Sequence, residues 1–184
     1  MSAEPRETEV KLRIRDLDVV REALRRAGAE LAHARHLEDN VLFDDAAGTL
    51  RAQGCVLRLR RTPDGGLVTF KGPRHVEGGV KSREERETPV ADPAAFDEIL
   101  RRLGYRPVFR YQKYRESFRH RGQSVEVDET PIGAFVEIEG DLAGIATVAA
   151  ELGYAAGDYL GESYVSLFFA AGGTGDMVFA EPES

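Results

Sequence analysis

In the stretch Glu7-Thr8-Glu9-Val10-Lys11-Leu12-Arg13-Ile14, charged or polar residues alternate with apolar ones. Side chains of a strand alternate between two faces, so residues two apart share one. One face of this stretch carries Glu7, Glu9, Lys11 and Arg13, and the other carries Val10, Leu12 and Ile14. The pattern recurs along the chain. Arg58 and Arg60 stand opposite Leu57 and Leu59, and Thr69 and Lys71 opposite Val68 and Phe70. Arg83, Glu85 and Glu87 form one row, and Tyr111, Lys113, Arg115 and Ser117 another. Glu126 and Asp128 oppose Val125 and Val127, while Glu137 and Glu139 oppose Val136 and Ile138.

For any one strand, a charged row is ordinarily a solvated face. Here the charges come in like-signed pairs: some strands contribute pairs of Arg and Lys, others pairs of carboxylates. If the sheet closes on itself, these rows line an interior of mixed charge, which is costly to keep without a charged ligand, water or ions. Arg58, Arg60, Lys71, Arg83, Lys113 and Arg115 supply more positive charge than one carboxylate ligand needs, whereas a polyphosphate uses it well. Acidic residues beside a polyphosphate repel it unless a hard cation lies between, and oxygen-only ligands select Mg²⁺ or Mn²⁺. The first row therefore reads as carboxylates for metal and cations for phosphate. Arg13, Thr69, Tyr111 and Ser117 read as solvated or packing residues at the ends of their rows.

The elements that hold these rows follow from punctuation. Asp16 caps a helix that stops at Gly28, and Asp92-Pro93 starts another that stops at Gly104. Residues 38–45 and 55–61 read as strands, with residues 48–54 a turn or brief helix, and a hairpin turn at Thr62-Pro63-Asp64-Gly65-Gly66 returns the chain through Lys71. A charged strand follows Gly78-Gly79, and the region from Pro107 to Asp141 reads as a three-strand meander, before closing helices around residues 142–153 and 162–172. No internal repeat of fixed period is present. About eight strands with few, segregated helices make an α+β, mainly antiparallel β domain or a closed barrel. One domain is expected over 1–171, with 172–184 as a flexible tail.

Composition sets limits. The chain has 184 residues with 42% hydrophobic and 31% charged, as in soluble globular proteins. A net charge of -7 argues against a general nucleic-acid or anionic-membrane surface. The single cysteine, Cys55, excludes an intrachain disulfide and a multi-cysteine zinc site and points to a reducing cytoplasm. The four histidines, at 33, 36, 75 and 120, lack metal-ligand spacing. No apolar run reaches membrane-spanning length.

The ordered set ETEVK, LRLR, FKG, KYR, VEVDE and FVEIEG resembles the CYTH domain, the triphosphate tunnel metalloenzymes, over about residues 6 to 169. The resemblance implies a closed eight-stranded antiparallel barrel, a tunnel flanked by helices, in which a nucleotide, thiamine or inorganic triphosphate binds with divalent cations. It implies that Lys11, Arg58, Arg60, Lys71, Lys113 and Arg115, with Arg83 in addition, hold the triphosphate. It further implies that Glu7, Glu9, Glu126, Asp128, Glu137 and Glu139 form the metal-binding set. Residues 38–60, ETPIGAFVEIEG and ESYVSLFF are closest to the class IV adenylate cyclase-like group, although Leu42 stands where an aromatic is frequent. The expected activity is conversion of ATP to cyclic AMP and pyrophosphate, with Lys11 in the reaction. The alternatives are hydrolysis of tripolyphosphate, thiamine triphosphate or a nucleoside triphosphate, with water positioned by Glu85 or Glu87, and a non-catalytic polyphosphate-binding module. The resemblance also allows a homodimer.

Overall fold

The computed structural model describes residues 6–63 and 65–180. In chain order, β1 (Arg6–Ile14) leads through α1 (Leu17–Arg26) to the long β2 (Glu30–Asp44). After α2 (Thr49–Ala52) come β3 (Val56–Thr62), β4 (Gly65–Lys71), β5 (His75–Glu77) and β6 (Val80–Val90). Next are α3 (Pro93–Arg102) and the meander of β7 (Arg106–His120), β8 (Gln123–Thr130) and β9 (Gly133–Glu139). The order ends with α4 (Leu142–Glu151), β10 (Tyr159–Leu160) and α5 (Tyr164–Ala170). The helix starts behave as their sequence predicts: Asp16 accepts from the amides of Asp18 and Val19, and Asp92 from those of Ala94 and Ala95.

Antiparallel pairing runs β1-β9-β8-β7-β2-β3-β4-β6 and returns to β1, closing an eight-stranded barrel. Eight strands enclose a space wide enough for side chains and one small ligand. β1 serves two neighbours: Arg6 to Glu9 pair with β6, and Glu9 to Ile14 with β9. Where β6 ends, β10 takes its place opposite Lys11 and Leu12.

The strand expected at 38–45 begins much earlier, at Glu30. Register shifts at Leu31/His33 and His33/His36 break its alternation, so the period-two signal is lost there although pairing with β7 continues.

The apolar faces point outward. Val10, Leu12, Ile14, Val125, Val127, Val136 and Ile138 pack under Val20 and Leu24 of α1 and Ile145, Val148 and Ala149 of α4. On the far side Val41, Phe43 and Leu59 pack under Leu100 of α3. The core is thus a shell between barrel and helices, and the charged rows are left inside. Among the described residues no helix is long and apolar enough to cross a membrane.

Residues 172–180, expected to be loose, are docked instead. Pairing between β7 and β8 begins only at Tyr114, which leaves the first half of β7 without that neighbour. Met177 fills the gap: its amide donates to the Arg110 carbonyl at 3.0 Å, and its carbonyl accepts from the Gln112 amide at 2.9 Å. Its side chain is fully buried against Phe109, Tyr111, Phe135 and Tyr164. The last four positions of the expected tail, 181–184, lie outside the described residues.

Candidate active site

Register decides which charges meet. Lys11 stands opposite Glu137 and Glu9 opposite Glu139 across β1 and β9. Glu9 also faces Lys81, and Glu7 faces Arg83, across β1 and β6. Lys71 faces Glu85 across β4 and β6, and Glu38 faces Lys113 across β2 and β7. The sequence-derived residues Glu7, Glu9, Lys11, Arg58, Arg60, Lys71, Arg83, Glu85, Glu87, Lys113, Arg115, Glu126, Glu137 and Glu139 all line one cavity of about 1270 Å³ inside the barrel. A second cavity of about 580 Å³ shares Arg60, Arg115, Arg119, Ser124 and Glu126 with the first and reaches His33, His36 and the β3–β4 turn. The interior is therefore a tunnel with two mouths.

One side of the tunnel is cationic. Arg58 donates to Thr69 Oγ1 at 2.9 Å, and Arg60 pairs with Glu38 Oε1 at 2.9 Å and donates to Asn40 Oδ1 at 3.2 Å. Lys113 donates to Asp128 Oδ2 at 2.9 Å, and Arg115 holds both oxygens of that carboxylate, at 2.7 and 2.6 Å. Lys11 sits 3.1 Å from Glu137 Oε1. Burial alone would raise the Glu38 carboxyl, but Lys113, Arg115, Arg60 and Arg58 outweigh it and hold it well below the usual carboxylate range. Glu137 is held down in the same way, burial being outweighed by Lys11, Lys113, Arg115 and Lys81. These two carboxylates are counter-ions that let the cations stand close together.

The opposite side is acidic, and there the carboxylates face one another. Burial, a hydrogen bond shared with Glu85, and the charges of Glu139 and Glu85 push Glu7 up to about 8. Burial and the charges of Glu9 and Glu85 push Glu139 up to about 7. Glu85 moves the other way: burial would raise it, but Lys71, a hydrogen bond with Glu7 and the charge of Arg58 together outweigh burial. Glu7, Glu85 and Glu87 each offer an oxygen within 4.8 Å of the others. Glu85 and Glu87, expected to position water, thus join Glu7 in one group. An oxygen-only set so crowded that one carboxyl retains a proton fits a hard divalent cation, whose charge would displace that proton.

Two expected residues are tied up elsewhere. Asp128 is fully buried behind the cavity wall, its oxygens taken by Lys113, Arg115 and the Tyr164 hydroxyl, and it lines neither cavity. Arg83 lines the tunnel, but its guanidinium donates to the Gly72 carbonyl at 2.8 Å and the Gly54 carbonyl at 3.4 Å, bracing the two strand ends. Among the residues read as end positions, Thr69, Tyr111 and Ser117 are buried inside instead, Thr69 between Arg58 and Glu87 and Ser117 beside Glu126. Only Arg13 is outside, exposed over the Phe135 ring.

Sequence reasoning missed Glu38, Asn40, Lys81 and Tyr164. Glu38 and Asn40 share a face of β2, and Lys81 lies two before Arg83 on β6, so the alternation rule would have found all three. Tyr164 is on a helix, where that rule is silent.

The sequence profile of the CYTH domain matches residues 5–159. The chain belongs to the CYTH domain family. CYTH proteins are metal-dependent enzymes that act on triphosphates. The chain is 29% identical, over 76% of its length and 79% of the relative's, to a Methanocaldococcus jannaschii protein provisionally named an adenylate cyclase. Its fold is that of a Vibrio parahaemolyticus protein with the same provisional name (TM-score 0.78, 22% identity, covering 89% of this chain and 97% of that one). It is also that of a Hippeastrum protein provisionally named an adenylyl cyclase and described as having a dominant triphosphatase activity (TM-score 0.71, 23% identity, 91% and 97% covered).

Proposed function

We propose that this CYTH protein converts ATP to cyclic AMP and pyrophosphate with Mg²⁺ or Mn²⁺ in its tunnel. The observation that carries this reading is the division of the tunnel into a cationic wall and an acidic wall that ends at an apolar mouth. Leu42, Val108, Phe109, Val165 and Phe169 line the same cavity as the charges. Phe109 and Phe169 lie 5.5 Å apart, and about half of Val108 and Phe169 is exposed, at 52% and 51%. A flat base can cover such a surface, whereas inorganic tripolyphosphate has nothing to place there.

In this reading Lys11, Arg58, Arg60, Lys71, Lys113 and Arg115 bind the phosphate oxygens and stabilise the charge that gathers on the leaving pyrophosphate. The ribose 3′ oxygen attacks the α-phosphorus, the bond to the bridging oxygen breaks, and the proton of the attacking hydroxyl passes to a carboxylate of the acidic wall. Glu87 links the two walls, 3.8 Å from the Arg58 guanidinium and accepting from Thr69 at 3.1 Å. Glu7, Glu85 and Glu87 would hold a divalent cation, with Glu9 and Glu139 near it; when bound, it supplies charge neutralisation at the phosphates. Glu126 lines the tunnel without belonging to that group, and Glu137 and Asp128 serve as counter-ions to the cationic wall. Arg83 braces the tunnel end from the adjoining wall.

A second reading, hydrolysis of a triphosphate, has its own support. Glu85 and Glu87, which the hydrolytic reading needs to position an attacking water, stand together with Glu7 in the acidic group, and the Hippeastrum protein of like fold is described as mainly a triphosphatase. Product analysis decides between them. The purified protein is incubated with Mg²⁺ or Mn²⁺ and, separately, ATP, thiamine triphosphate and tripolyphosphate. Cyclic AMP with pyrophosphate is the expected result from ATP. Orthophosphate without cyclic AMP would make it a triphosphatase, and tight binding without turnover would make it a binding module.

A further inference from the structure

The family match ends at residue 159, yet Tyr164 is buried in the tunnel wall. The centre of its ring lies 4.3 Å from Lys11 Nζ and 5.3 Å from Lys113 Nζ. Its hydroxyl donates at 2.7 Å to Asp128 Oδ2, the oxygen that also accepts from Lys113 Nζ at 2.9 Å. Two residues earlier the Glu162 carbonyl accepts from Lys11 Nζ at 3.0 Å. The ring is steadied by an edge contact with Phe135, 5.2 Å between centroids, and by the buried Met177.

An ammonium has three donor hydrogens, and Lys11 already directs one at Glu137 and one at Glu162. A ring face stabilises an ammonium without competing as an oxygen acceptor, so it can fix Nζ and still leave hydrogen for an incoming anion. Fixing both lysines with a ring from a helix, not from a barrel strand, also avoids a third carboxylate, which would repel phosphate.

We propose that Tyr164 is a positioning residue for anion binding, its ring holding the Lys11 and Lys113 ammoniums toward the tunnel. The segment after the matched domain then completes the cationic wall that the domain leaves open. This proposal rests on the triphosphate reading of the tunnel.

Two variants test it. Tyr164→Phe keeps the ring and loses the hydroxyl; Tyr164→Leu loses both. The first readout needs no substrate: the ε-methylene NMR signals of Lys11 and Lys113, displaced by the ring current in the unmodified protein, should stay displaced in the Phe variant. They should return to ordinary lysine positions in the Leu variant, while those of Lys71 do not move. The second readout is calorimetric binding of tripolyphosphate with Mg²⁺, together with KM and kcat for the best triphosphate. The Leu variant should weaken binding and raise KM about 3- to 30-fold, the range open to a desolvated cation–π contact. The Phe variant should change KM less, and kcat should fall by a smaller factor than KM rises in both. Lysine signals that show no ring displacement in the unmodified protein would overturn the proposal. So would a Leu variant that melts earlier but keeps its KM, since that is what a purely structural residue does. If the unmodified protein binds no triphosphate, the reading of the tunnel falls, and the lysine signals still decide whether the ring holds the ammoniums.

Discussion

Lys11 and Leu12 are neighbours on β1, 2% and 0% exposed, and they are buried for opposite reasons. Leu12 joins Val10, Val136 and Ile138 beneath α1 and α4, where removal from water is itself the stabilising event. Lys11 joins Glu9, Glu137 and Glu139 around the tunnel, where burial opposes folding and must be offset by ion pairs and hydrogen bonds. One shell drives folding, and the other is carried by it. Cuts in the outer shell should therefore cost mainly stability, and cuts in the inner one mainly turnover.

Lys11→Met tests the inner shell and has the largest expected effect. Turnover should fall about 10²- to 10³-fold, the usual loss for one preorganised charge-stabilising group. Glu137 keeps Lys113 and Arg115 as neighbours, so far-ultraviolet circular dichroism should be unchanged. The double variant Lys11→Met with Glu137→Gln should regain any stability lost by the single one and none of the turnover. Loss of the folded spectrum in the single variant would mean that the tunnel charges hold the barrel together.

Leu12→Ala tests the outer shell. A fully buried leucine cut to alanine costs about 2–5 kcal/mol, read as a lower urea midpoint. Turnover per folded molecule should stay within about twofold, since the side chain points away from every ligand-facing residue. A drop approaching that of Lys11→Met would show that the two shells are not separable.

The same contrast explains what the sequence revealed. Alternation sorted the two faces of β1, β3, β8 and β9 correctly, because a half-buried strand writes its apolar face with period two. Alternation left an open sheet and a closed barrel both possible, and closure came from the family resemblance. The period-two rule failed at residues 30–37, where shifts in register scramble the period, and at Met177, whose backbone pairing at a gap beside β7 leaves no pattern in side chains. Placement within the site was harder to read than membership of it. Asp128 and Glu126 stand two apart on one strand, yet the first is enclosed by Lys113, Arg115 and Tyr164 and the second lines the tunnel. That difference comes from neighbours far away in the chain.

The acidic wall predicts a pH dependence opposite to that of most acidic residues. Glu7 at about 8 and Glu139 at about 7 bind protons more tightly in the folded protein than in the unfolded chain, where both titrate near 4.5. Between those limits the folded state holds more protons, so stability falls as pH rises from about 5 to about 8. Melting temperature should follow that course in a metal chelator. Excess Mg²⁺ should flatten it by taking the place of the protons, with its largest stabilisation at the high-pH end. A melting temperature that rose with pH in the chelator, or a Mg²⁺ effect equal at both ends, would remove the acidic wall from the metal reading.

The smallest effect is expected at Arg13, which belongs to the same sequence row as Glu7, Glu9 and Lys11 but lies past the rim. Its guanidinium covers the Phe135 ring at 4.7 Å and donates to the Ile132 carbonyl at 3.2 Å, and it lines neither cavity. An exposed cation–π contact is worth about 0.5–1 kcal/mol, so Arg13→Ala should lower stability by no more than that and leave both KM and kcat unchanged. Phe135 packs against Tyr164, however, and through it the rim touches the ring that faces Lys11. A raised KM in Arg13→Ala would mean that this contact transmits, and that the inner shell extends one residue further along β1 than the cavity does.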